Sequence, residues 1–280
     1  MPPVKLIADS GATKAEWSLL SNGKTQSVFT QGISPYFLDE GQISKLLLKE
    51  LLPAIKKTTP DEIYYYGTGC ANPANARLVK KAIRYVFPSA KIEVTHDLMA
   101  AARALCGKKK GIACILGTGS NSCYFDGKKI VKNSPGLGYV LGDEASGAYL
   151  GKKVVQHYLY DIFDDDLRSR FDAMYTTTAS EILENVYKKP LPNRYLAGFT
   201  IFLAKNRGHY MIENIIQDGL NDFFFQHLSK YRESGKYPVH FTGGVAFGFK
   251  DVLQQLCINY DMELGVIMKN PMSGLVKYHR

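Results

Sequence analysis

The sequence predicts an α/β protein built from a duplicated domain, with a helical insertion in the second copy. Two successive stretches of the chain each begin with three short strands and then alternate helix and strand, as in an α/β layer architecture. A glycine-rich turn follows the first strand of each stretch. A long, mainly helical stretch at about 143–231 interrupts the second one and is interpreted as the insertion.

The elements of the first copy follow from hydrophobic periodicity and turn signals. Short apolar runs predict strands, apolar residues at helical spacing predict helices, and Asn22-Gly23 is a typical hairpin turn. Asn72-Pro73 is a typical helix start, because asparagine caps well and proline fits the first turn. The predicted elements are strands 4–8, 15–20, 24–30, 62–66 and 91–95, an amphipathic helix carrying Ile43, Leu46, Leu47, Leu51 and Ile55, a helix from Pro73, and a helix 98–106 that begins at Asp97.

The second copy is predicted in the same way. No proline- or serine-rich linker separates the copies, so the chain is expected to pass between them near residue 111 and the two halves to meet at a cleft. The predicted domains are 1–110, on which a C-terminal helix 271–280 packs back, and 111–270. The predicted elements are strands 112–116, 122–125 and 128–132 around the turn Asp126-Gly127, the helical stretch, a strand 239–242, a helix to about 260, and a strand 264–268.

Composition excludes several classes of protein. With 45% hydrophobic and 22% charged residues, the 280-residue chain has ordinary globular composition. The five scattered cysteines form no CxxC pair and no Cys/His cluster, so neither a zinc site nor a disulfide framework is expected. The start of the chain does not read as a signal peptide, and no apolar run approaches 18 residues. A cytoplasmic protein without a membrane partner is therefore expected.

The positive charge does not point to a nucleic acid. The formal net charge is +9, but lysine and arginine are spread along the chain, and Lys108–Lys110 is the only run of three. The sequence contains no recognisable nucleic-acid-binding module. We expect no nucleic-acid partner.

Three glycine-rich turns at strand ends suggest a phosphate site in the absence of a GxxxxGK[ST] or GxGxxG loop. In the first, Asp9–Lys14, the backbone N–H groups near Gly11 could bind phosphate oxygens, Thr13 could donate a hydroxyl and Lys14 could supply charge. Asp9 could hold Mg²⁺ through water, since Mg²⁺ prefers few carboxylates plus waters. A plain hairpin turn is the alternative interpretation.

The other two turns extend this hypothesis. Gly117, Thr118, Gly119 and Ser120 repeat the arrangement in the second copy, so that the two turns would bind a triphosphate from either side. Gly243 and Gly244 end a strand and open a helix, where missing side chains would let an adenine or ribose lie against the backbone. A valine at Gly243 would fill that space and is expected to abolish ATP binding.

The motifs resemble those of a known family. DSGATK, LGTGSNS and FTGGVAFGF resemble the phosphate-1, phosphate-2 and adenosine motifs of the sugar kinase, heat-shock chaperone and actin superfamily. GTGSNS followed by GLGYVLGDEASGAYLG is similar to the N-acetylglucosamine kinase family, also called the BadF/BadG/BcrA/BcrD ATPase family. The resemblance implies two RNase H-like lobes with an interlobe cleft. It also implies ATP and Mg²⁺ as cofactors, a small amino sugar as substrate, and a possible homodimer.

The expected catalytic base is Asp97. Transfer of a phosphoryl group to an alcohol needs a base for the hydroxyl proton, and Asp97 stands at the carboxyl end of a predicted strand, a position that faces ligands in open α/β sheets. The resembling kinases carry their base in a DA-type motif at this place. An N-cap role is the alternative. His96 is interpreted as a structural neighbour, because alternation along the strand turns it away from Asp97.

The resemblance also implies the residues that bind the sugar. Asp143 matches the family's sugar-binding aspartate, although a first-turn acidic pair with Glu144 is the simpler structural alternative. Asn121 matches a residue near the sugar. Ser34 and Thr68 complete the expected substrate-binding set.

The chain departs from the family pattern at two places. The substrate loop 32–37 lacks the usual asparagine, and Leu137 stands where the family has tryptophan. N-acetylmuramic acid therefore fits as well as N-acetylglucosamine.

Two other functions stay open at this point. An ATPase activator of 2-hydroxyacyl-CoA dehydratases shares the fold but holds an iron–sulfur cluster between subunits with closely placed cysteines, and here only Cys114 and Cys123 flank a turn. A nucleotide-dependent sensor without kinase activity would bind ATP but show no sugar-stimulated hydrolysis.

Overall fold

The computed structural model describes residues 2–11 and 14–280. Contacts within the chain divide it into two compact units. The first comprises residues up to Lys108 together with Pro271–Arg280, and the second comprises Lys109–Asn270.

The described part of the first unit contains five strands and four α-helical segments before the chain leaves it. Asn72 caps one helix through its side chain, which accepts a hydrogen bond from the N–H of Ala74, and Pro73 follows at the first helical position, as the sequence predicts. The elements are β1 Lys5–Ser10, β2 Lys14–Ser21, β3 Lys24–Gln31, α1 Glu40–Leu46, a π-helical turn Leu47–Leu51, α2 Leu52–Ala54, β4 Glu62–Gly67, α3 Pro73–Val86, β5 Lys91–Thr95 and α4 Asp97–Cys106.

The second unit contains the other five strands. Between its third and fourth strands lie seven α-helices and a 3₁₀ turn, where the first unit has only α1, the π-helical turn and α2. The elements are β6 Gly111–Leu116, β7 Ser120–Phe125, β8 Ile130–Ser134, α5 Gly138–Leu141, α6 Gly147–Leu159, α7 Asp165–Met174, α8 Ala179–Tyr187, α9 Pro192–Gly198, α10 Thr200–Lys205, α11 Tyr210–Gln226, a 3₁₀ turn Leu228–Lys230, β9 Val239–Thr242, α12 Gly244–Gly248, α13 Lys250–Asn259 and β10 Leu264–Met268. Helix α14, Met272–His279, then belongs to the first unit.

The two sheets have the same topology. Their strand orders are β3-β2-β1-β4-β5 and β8-β7-β6-β9-β10, with the first strand of each unit in the centre. In both, the first three strands are antiparallel neighbours and the last two run parallel to the first. The predicted fold class, an α/β protein built from a duplicated unit, is confirmed.

Helices cover both faces of the first sheet. Leu6 and Ala8 of β1 point into a core shared with α1 and α3, while Ile7 points to the opposite face, as alternation along a strand requires. On that opposite face Ile7 packs in one cluster with Met272 and Leu275 of α14. A side chain at Gly274 would collide with Ala104 of α4, so the two helices pack at close range there.

Two elements depart from the predicted bounds. The helix expected to carry Ile43 to Ile55 is divided by the π-helical turn at Leu47–Leu51. The third strand of the second unit begins at Ile130 and not at 128, because the carboxylate of Asp126 accepts hydrogen bonds from the N–H groups of Lys128 and Lys129 and extends the turn. Within residues 2–11 and 14–280, no helix is long and apolar enough to cross a membrane.

Candidate active site

One edge of the first sheet gathers the acidic and hydroxyl residues that the sequence predicts for the acceptor side. Strands β1, β3, β4 and β5 run in the same direction, so their carboxyl ends lie at the same edge. Asp9 lies near the end of β1, Ser34 follows β3, Thr68 follows β4 and Asp97 follows β5. In open α/β sheets this edge is where ligands bind.

Asp97 is the first residue of α4, and His96 occupies the N-cap position. The interpretation of Asp97 as the N-cap is therefore wrong, although its Oδ1 accepts a hydrogen bond of 2.8 Å from the N–H of Leu98. Its side chain is accessible to solvent, yet the protein that surrounds the carboxylate desolvates it enough to raise its pKa, against the opposing effects of Leu98 N–H and His96. A reachable carboxylate with a raised pKa has the properties of a general base.

Asp9 lies in an acidic cluster. It is paired with Glu16 across β1 and β2, and burial, followed by the charges of Asp97 and Glu16, raises the pKa of Asp9 to about 7. A cation near Asp9 would offset this repulsion. Among the described residues, no three histidine, cysteine, aspartate or glutamate side chains are close enough to hold a metal directly.

The first glycine turn is only partly described, since Thr13 lies outside the described residues. The N–H of Gly11 donates to the carbonyl oxygen of Lys14 at 3.0 Å, so in this conformation it closes the turn and does not face a ligand. Gly11 and Lys14 are exposed, and the Lys14 ammonium lies 3.9 Å from the centroid of the Phe29 ring. A phosphate contact of Gly11, Thr13 or Lys14 stays a prediction.

The substrate loop of the first unit is tied to β1 and β4. The hydroxyl of Ser10 accepts a hydrogen bond from the N–H of Ile33, and the carbonyl oxygen of Ser10 accepts one from the N–H of Thr68, both at 3.1 Å. Ser34 is buried, and its carbonyl oxygen accepts hydrogen bonds from the N–H groups of Phe37 and Leu38, three and four residues later. The Tyr36 ring lies against Gly69, where a side chain would displace it. These contacts bring Ser34 and Thr68 to the same edge.

The second glycine turn connects β6 and β7 and is hydrogen-bonded to the first residues of α6. The N–H groups of Gly147 and Ala148 donate to the carbonyl oxygens of Gly117 and Thr118, at 2.7 and 3.1 Å. The N–H of Gly117 closes the turn onto the carbonyl oxygen of Gly119 at 2.9 Å. The turn is thereby fixed before any ligand binds.

Two hydroxyl groups near this turn lack a partner. Ser120 follows the turn and Thr242 ends β9, and both side-chain oxygens are buried without a hydrogen-bond partner in the structure. β6 lies between their strands, with Leu116 paired to Ser120 of β7 and Ile115 paired to Thr242 of β9, so both groups flank the carboxyl end of β6. Buried unpaired hydroxyls are costly, and a ligand with acceptor oxygens would satisfy them.

The third glycine turn comes close to the second. Gly243 has a φ of +124°, and a side chain there would collide with the carbonyl oxygen of Leu116. Position 243 therefore requires glycine for backbone reasons, whereas Gly244 has open space where its side chain would be.

A cavity of about 480 Å³ opens beside these two turns, within the second unit. Its polar side is Gly117 and Thr118 of the second turn, and Gly244 and Gly248 of α12 form another wall. The helical insertion supplies the opposite wall. The remaining lining residues are Gly147, Ala197, Thr200, Ile201, Ala204, Val245 and Phe249.

Asp143 lies next to the second turn. A side chain at Gly119 would approach the Asp143 Oδ2 atom to 3.0 Å, and a hydrogen bond from the backbone of Ser120 lowers the Asp143 pKa while burial raises it more strongly. The first-turn interpretation of the Asp143-Glu144 pair is wrong, since α6 begins only at Gly147 and Ser146 is its N-cap. The Oδ1 atom of Asn121 accepts from the Ser122 N–H and from Asn133 Nδ2, both at 2.9 Å. Only its own amide group is left for a ligand.

Several site residues were not predicted. To predict that Glu16 lies beside Asp9, the register between β1 and β2 would have to be known. Ala197, Ile201 and Ala204 stand at helical spacing in the insertion, a signal that by itself indicates one helix face and not a cavity wall. The hydrogen bond between Glu144 and His227 joins residues 83 positions apart, and no local pattern predicts it.

Comparison with known proteins identifies the family, although no family model matches the chain. A crystal structure of a proposed N-acetylglucosamine kinase from Porphyromonas gingivalis has a TM-score of 0.93 and 41% identity, with 98% of each chain covered. A proposed N-acetylglucosamine kinase from Chromobacterium violaceum has a TM-score of 0.75 at 18% identity over 99% of each chain, which shows the fold alone.

Two further relatives extend the comparison. A ROK family glucokinase from Streptomyces griseus, solved with glucose and AMPPNP, shares the fold with a TM-score of 0.58 at 14% identity over 98% of this chain and 97% of that one. The N-acetylmuramic acid/N-acetylglucosamine kinase of Clostridium acetobutylicum is 25% identical over 167 residues, which are 56% of this chain and 53% of that protein. The match thus spans about half the length of that kinase. From the P. gingivalis relative, which is similar over nearly the whole length of both chains, the chain belongs to the N-acetylglucosamine kinase family of carbohydrate kinases.

Proposed function

We propose that the protein transfers the γ-phosphoryl group of ATP to a hydroxyl of an amino sugar, N-acetylglucosamine or N-acetylmuramic acid. The observation that carries this proposal is Asp97, an accessible carboxylate with a raised pKa at the carboxyl edge of the first sheet. Family membership supports the reaction class, and the names of the P. gingivalis and C. acetobutylicum relatives supply the two candidate sugars.

Asp97 acts as the general base. As the sugar hydroxyl attacks the γ-phosphorus, its O–H proton passes to Asp97, a new O–P bond forms, and the bond from phosphorus to the β,γ-bridging oxygen breaks, so that ADP leaves. The Leu98 N–H holds the Asp97 carboxylate in place during this transfer. Ser34 and Thr68, brought to the same edge by Ser10, orient the acceptor.

The second unit holds the nucleotide. The backbone around Gly117–Ser120 and the unpaired hydroxyls of Ser120 and Thr242 bind phosphate oxygens. The 480 Å³ cavity takes the adenosine, with the backbone at Gly243 and Gly244 against the ribose. Phe249 and the insertion helices enclose the base in an apolar environment, as is usual for a nucleotide-sized pocket.

Magnesium is the expected cofactor, and the donor set fits it. Asp9, with Glu16 beside it, would hold Mg²⁺ through water, where the ion would neutralise charge on the transferring phosphoryl group. Burial and the charges of Asp97 and Glu16 raise the pKa of Asp9, and a bound cation would favour its ionised form.

In the second unit, Asp143 and the amide of Asn121 bind the sugar. Asp143 can accept hydrogen bonds from two sugar hydroxyls. Leu137, 59% exposed, lies next to Gly142 in the same segment, where a smaller side chain than tryptophan leaves room for a lactyl substituent. This room supports N-acetylmuramic acid as a second acceptor.

A panel of sugars with Mg-ATP, followed by ADP release and phosphosugar mass, tests the proposal. N-acetylglucosamine or N-acetylmuramic acid should stimulate ADP release with matching phosphosugar, while glucose should be a poor acceptor. A nucleotide sensor would bind ATP without any sugar stimulation, and that result would overturn the proposal. The dehydratase-activator alternative is not favoured, because Cys114 and Cys123 are fully buried and cannot reach a second subunit.

A further inference from the structure

Three side chains of the second unit form a hydrogen-bonded chain next to Asp143. The Ser134 hydroxyl lies 2.7 Å from His227 Nδ1, and His227 Nε2 lies 2.8 Å from Glu144 Oε2. Ser134 ends β8, His227 ends α11, and Glu144 follows Asp143 directly. The proposed reaction uses none of the three.

The chain has one consistent pattern of donors for a neutral imidazole. An ionised Glu144 can only accept a hydrogen bond, so His227 Nε2 carries the hydrogen and donates a hydrogen bond to Glu144. His227 Nδ1 then accepts from the hydroxyl of Ser134. The side chains of His227 and Glu144 are 12% and 19% exposed, so water competes little for these hydrogen bonds.

The segment around Glu144 adopts an unfavourable backbone conformation. Asp143 and Ala145, the residues on either side of Glu144, have φ angles of +57° and +61°. Residues other than glycine rarely adopt this left-handed backbone conformation, and it persists only where surrounding contacts hold it. Because Asp143 and Ala145 both have this conformation, contacts from outside the segment have to hold it in place.

The contact from His227 holds Glu144, while the backbone of Ser120 donates to the Asp143 carboxylate and Ala145 is fully buried. Within the segment, the Ser146 N–H donates to the Asp143 carbonyl oxygen at 3.0 Å, which is a local contact that moves with the segment. Glu144, by contrast, is bound to His227, the C-cap residue of α11, whose ring is held against Phe223 at a centroid distance of 4.9 Å. Ser134 is held in turn by the Tyr231 hydroxyl, which accepts from its N–H at 2.7 Å.

We infer that His227 is a positioning residue for the sugar: with Ser134 behind it, it fixes Glu144 and so holds the Asp143 carboxylate in the geometry that binds the acceptor. This inference rests on the proposed function, in which Asp143 binds sugar hydroxyls. His227 does not line the cavity beside the glycine turns, so its loss should weaken sugar binding and leave the nucleotide site intact.

The test is His227→Phe, which keeps a ring against Phe223 and removes both hydrogen bonds. Misplacement of a binding group by about 1 Å can cost on the order of a hundredfold, so the KM for the sugar should rise by roughly ten- to a hundredfold. The dissociation constant of Mg-ATP and the melting temperature should stay near those of the wild type. His157→Phe is the matched control, because His157 is a half-buried histidine of the same unit that bonds a backbone oxygen in its own helix.

Three further variants separate positioning from packing. Ser134→Ala removes only the outer hydrogen bond and should raise the sugar KM less than His227→Phe does. Glu144→Gln keeps an oxygen that accepts from His227 Nε2 and should retain most of the sugar affinity, whereas Glu144→Leu should match His227→Phe. The double variant of His227→Phe with Glu144→Leu should be no worse than either single one, since both remove the same contact.

Each outcome decides the inference. An unchanged sugar KM in folded His227→Phe, or equal losses of sugar and Mg-ATP affinity together with lower stability, would overturn it. If His227→Phe does not fold, an unchanged sugar KM in Ser134→Ala and Glu144→Leu would overturn it in the same way. A wild-type protein inactive with every sugar would reject the proposed function itself and the inference with it, and the wild-type assay is read first for that reason.

Discussion

The carboxylates of Asp9 and Asp97 interact: the charge of Asp97 is, after burial, the main reason why the pKa of Asp9 lies at about 7. The two residues come from the ends of β1 and β5, with β4 between those strands. Desolvation by the surrounding protein raises the pKa of Asp97 as well. The ionised form of each side chain is therefore disfavoured in the folded protein, and such perturbed groups are common at ligand-binding sites.

The first prediction concerns stability against pH. A carboxyl whose pKa is higher in the folded than in the unfolded state stabilises the fold at low pH and loses that contribution as pH rises, here between about 4 and about 7. Asp9→Asn should therefore be more stable than the wild type at pH 8, by up to a few kcal/mol at about 1.4 kcal/mol per pKa unit. The difference should vanish near pH 4.

Urea unfolding without Mg²⁺ or nucleotide measures this difference. Asp39→Asn is the control, because Asp39 caps α1 and asparagine caps equally well. A gain for Asp9→Asn that does not change with pH would show that ionisation of Asp9 is not its cause.

The second prediction concerns catalysis by Asp97. Asp97→Asn keeps the side-chain oxygen that accepts from Leu98 N–H but removes the proton acceptor, so turnover should fall by about 10²–10⁴ while sugar and ATP still bind. Asp165→Asn, a first-turn acid of α7, is the control for a helix-dipole effect. Near-normal turnover of Asp97→Asn with its best sugar would remove the base assignment and make Asp143 the next candidate.

The third prediction locates the adenosine. Gly243→Val is a poor test, contrary to the expectation from the sequence, because its side chain would collide with the Leu116 carbonyl oxygen and disturb the turn itself. Gly248 lines the cavity and has open space around its missing side chain. Gly248→Val should weaken Mg-ATP binding at least tenfold, on the order expected for a side chain that overfills a site, and leave the fold intact.

Calorimetric titration with Mg-ATP measures this loss. Gly235→Val is the matched control, since Gly235 has equally open surroundings and does not line the cavity. Equal ATP affinity in Gly248→Val and the wild type would place the adenosine elsewhere.

The fourth prediction concerns the choice of nucleotide. Of the cavity's lining residues, only Thr118 and Thr200 have polar side chains, and the Thr200 hydroxyl already donates to the Ala197 carbonyl oxygen. A pocket that offers a base few hydrogen bonds discriminates weakly. The kcat/KM values for ATP and GTP should therefore agree within roughly a factor of ten. A preference above about a thousandfold would reveal a specific contact to the adenine edge.

The sequence predicts the sheets better than the site. The strands Lys91–Thr95, Val239–Thr242 and Leu264–Met268 have the predicted bounds, because each is a short run between clear turn or helix signals. Glu16, the left-handed Ala145 and the bond from His227 to Glu144 depend on register or on contacts far apart in sequence, which local patterns do not contain. The roles of Asp97, Asp143 and the glycine turns stay predictions that the variants above test.

Helix α14 has a consequence for how the chain matures on the ribosome. It closes the face of the first sheet that carries Ile7 and Tyr66, yet it is synthesised only after the whole second unit. Until Met272 and Leu275 emerge, only α4, through Ala100 and Ala104, packs against that apolar face, so the earliest part of the chain is the last to be completed. A nascent chain halted anywhere in the second unit would expose an apolar surface formed by its first hundred residues. Molecular chaperones bind surfaces of this kind.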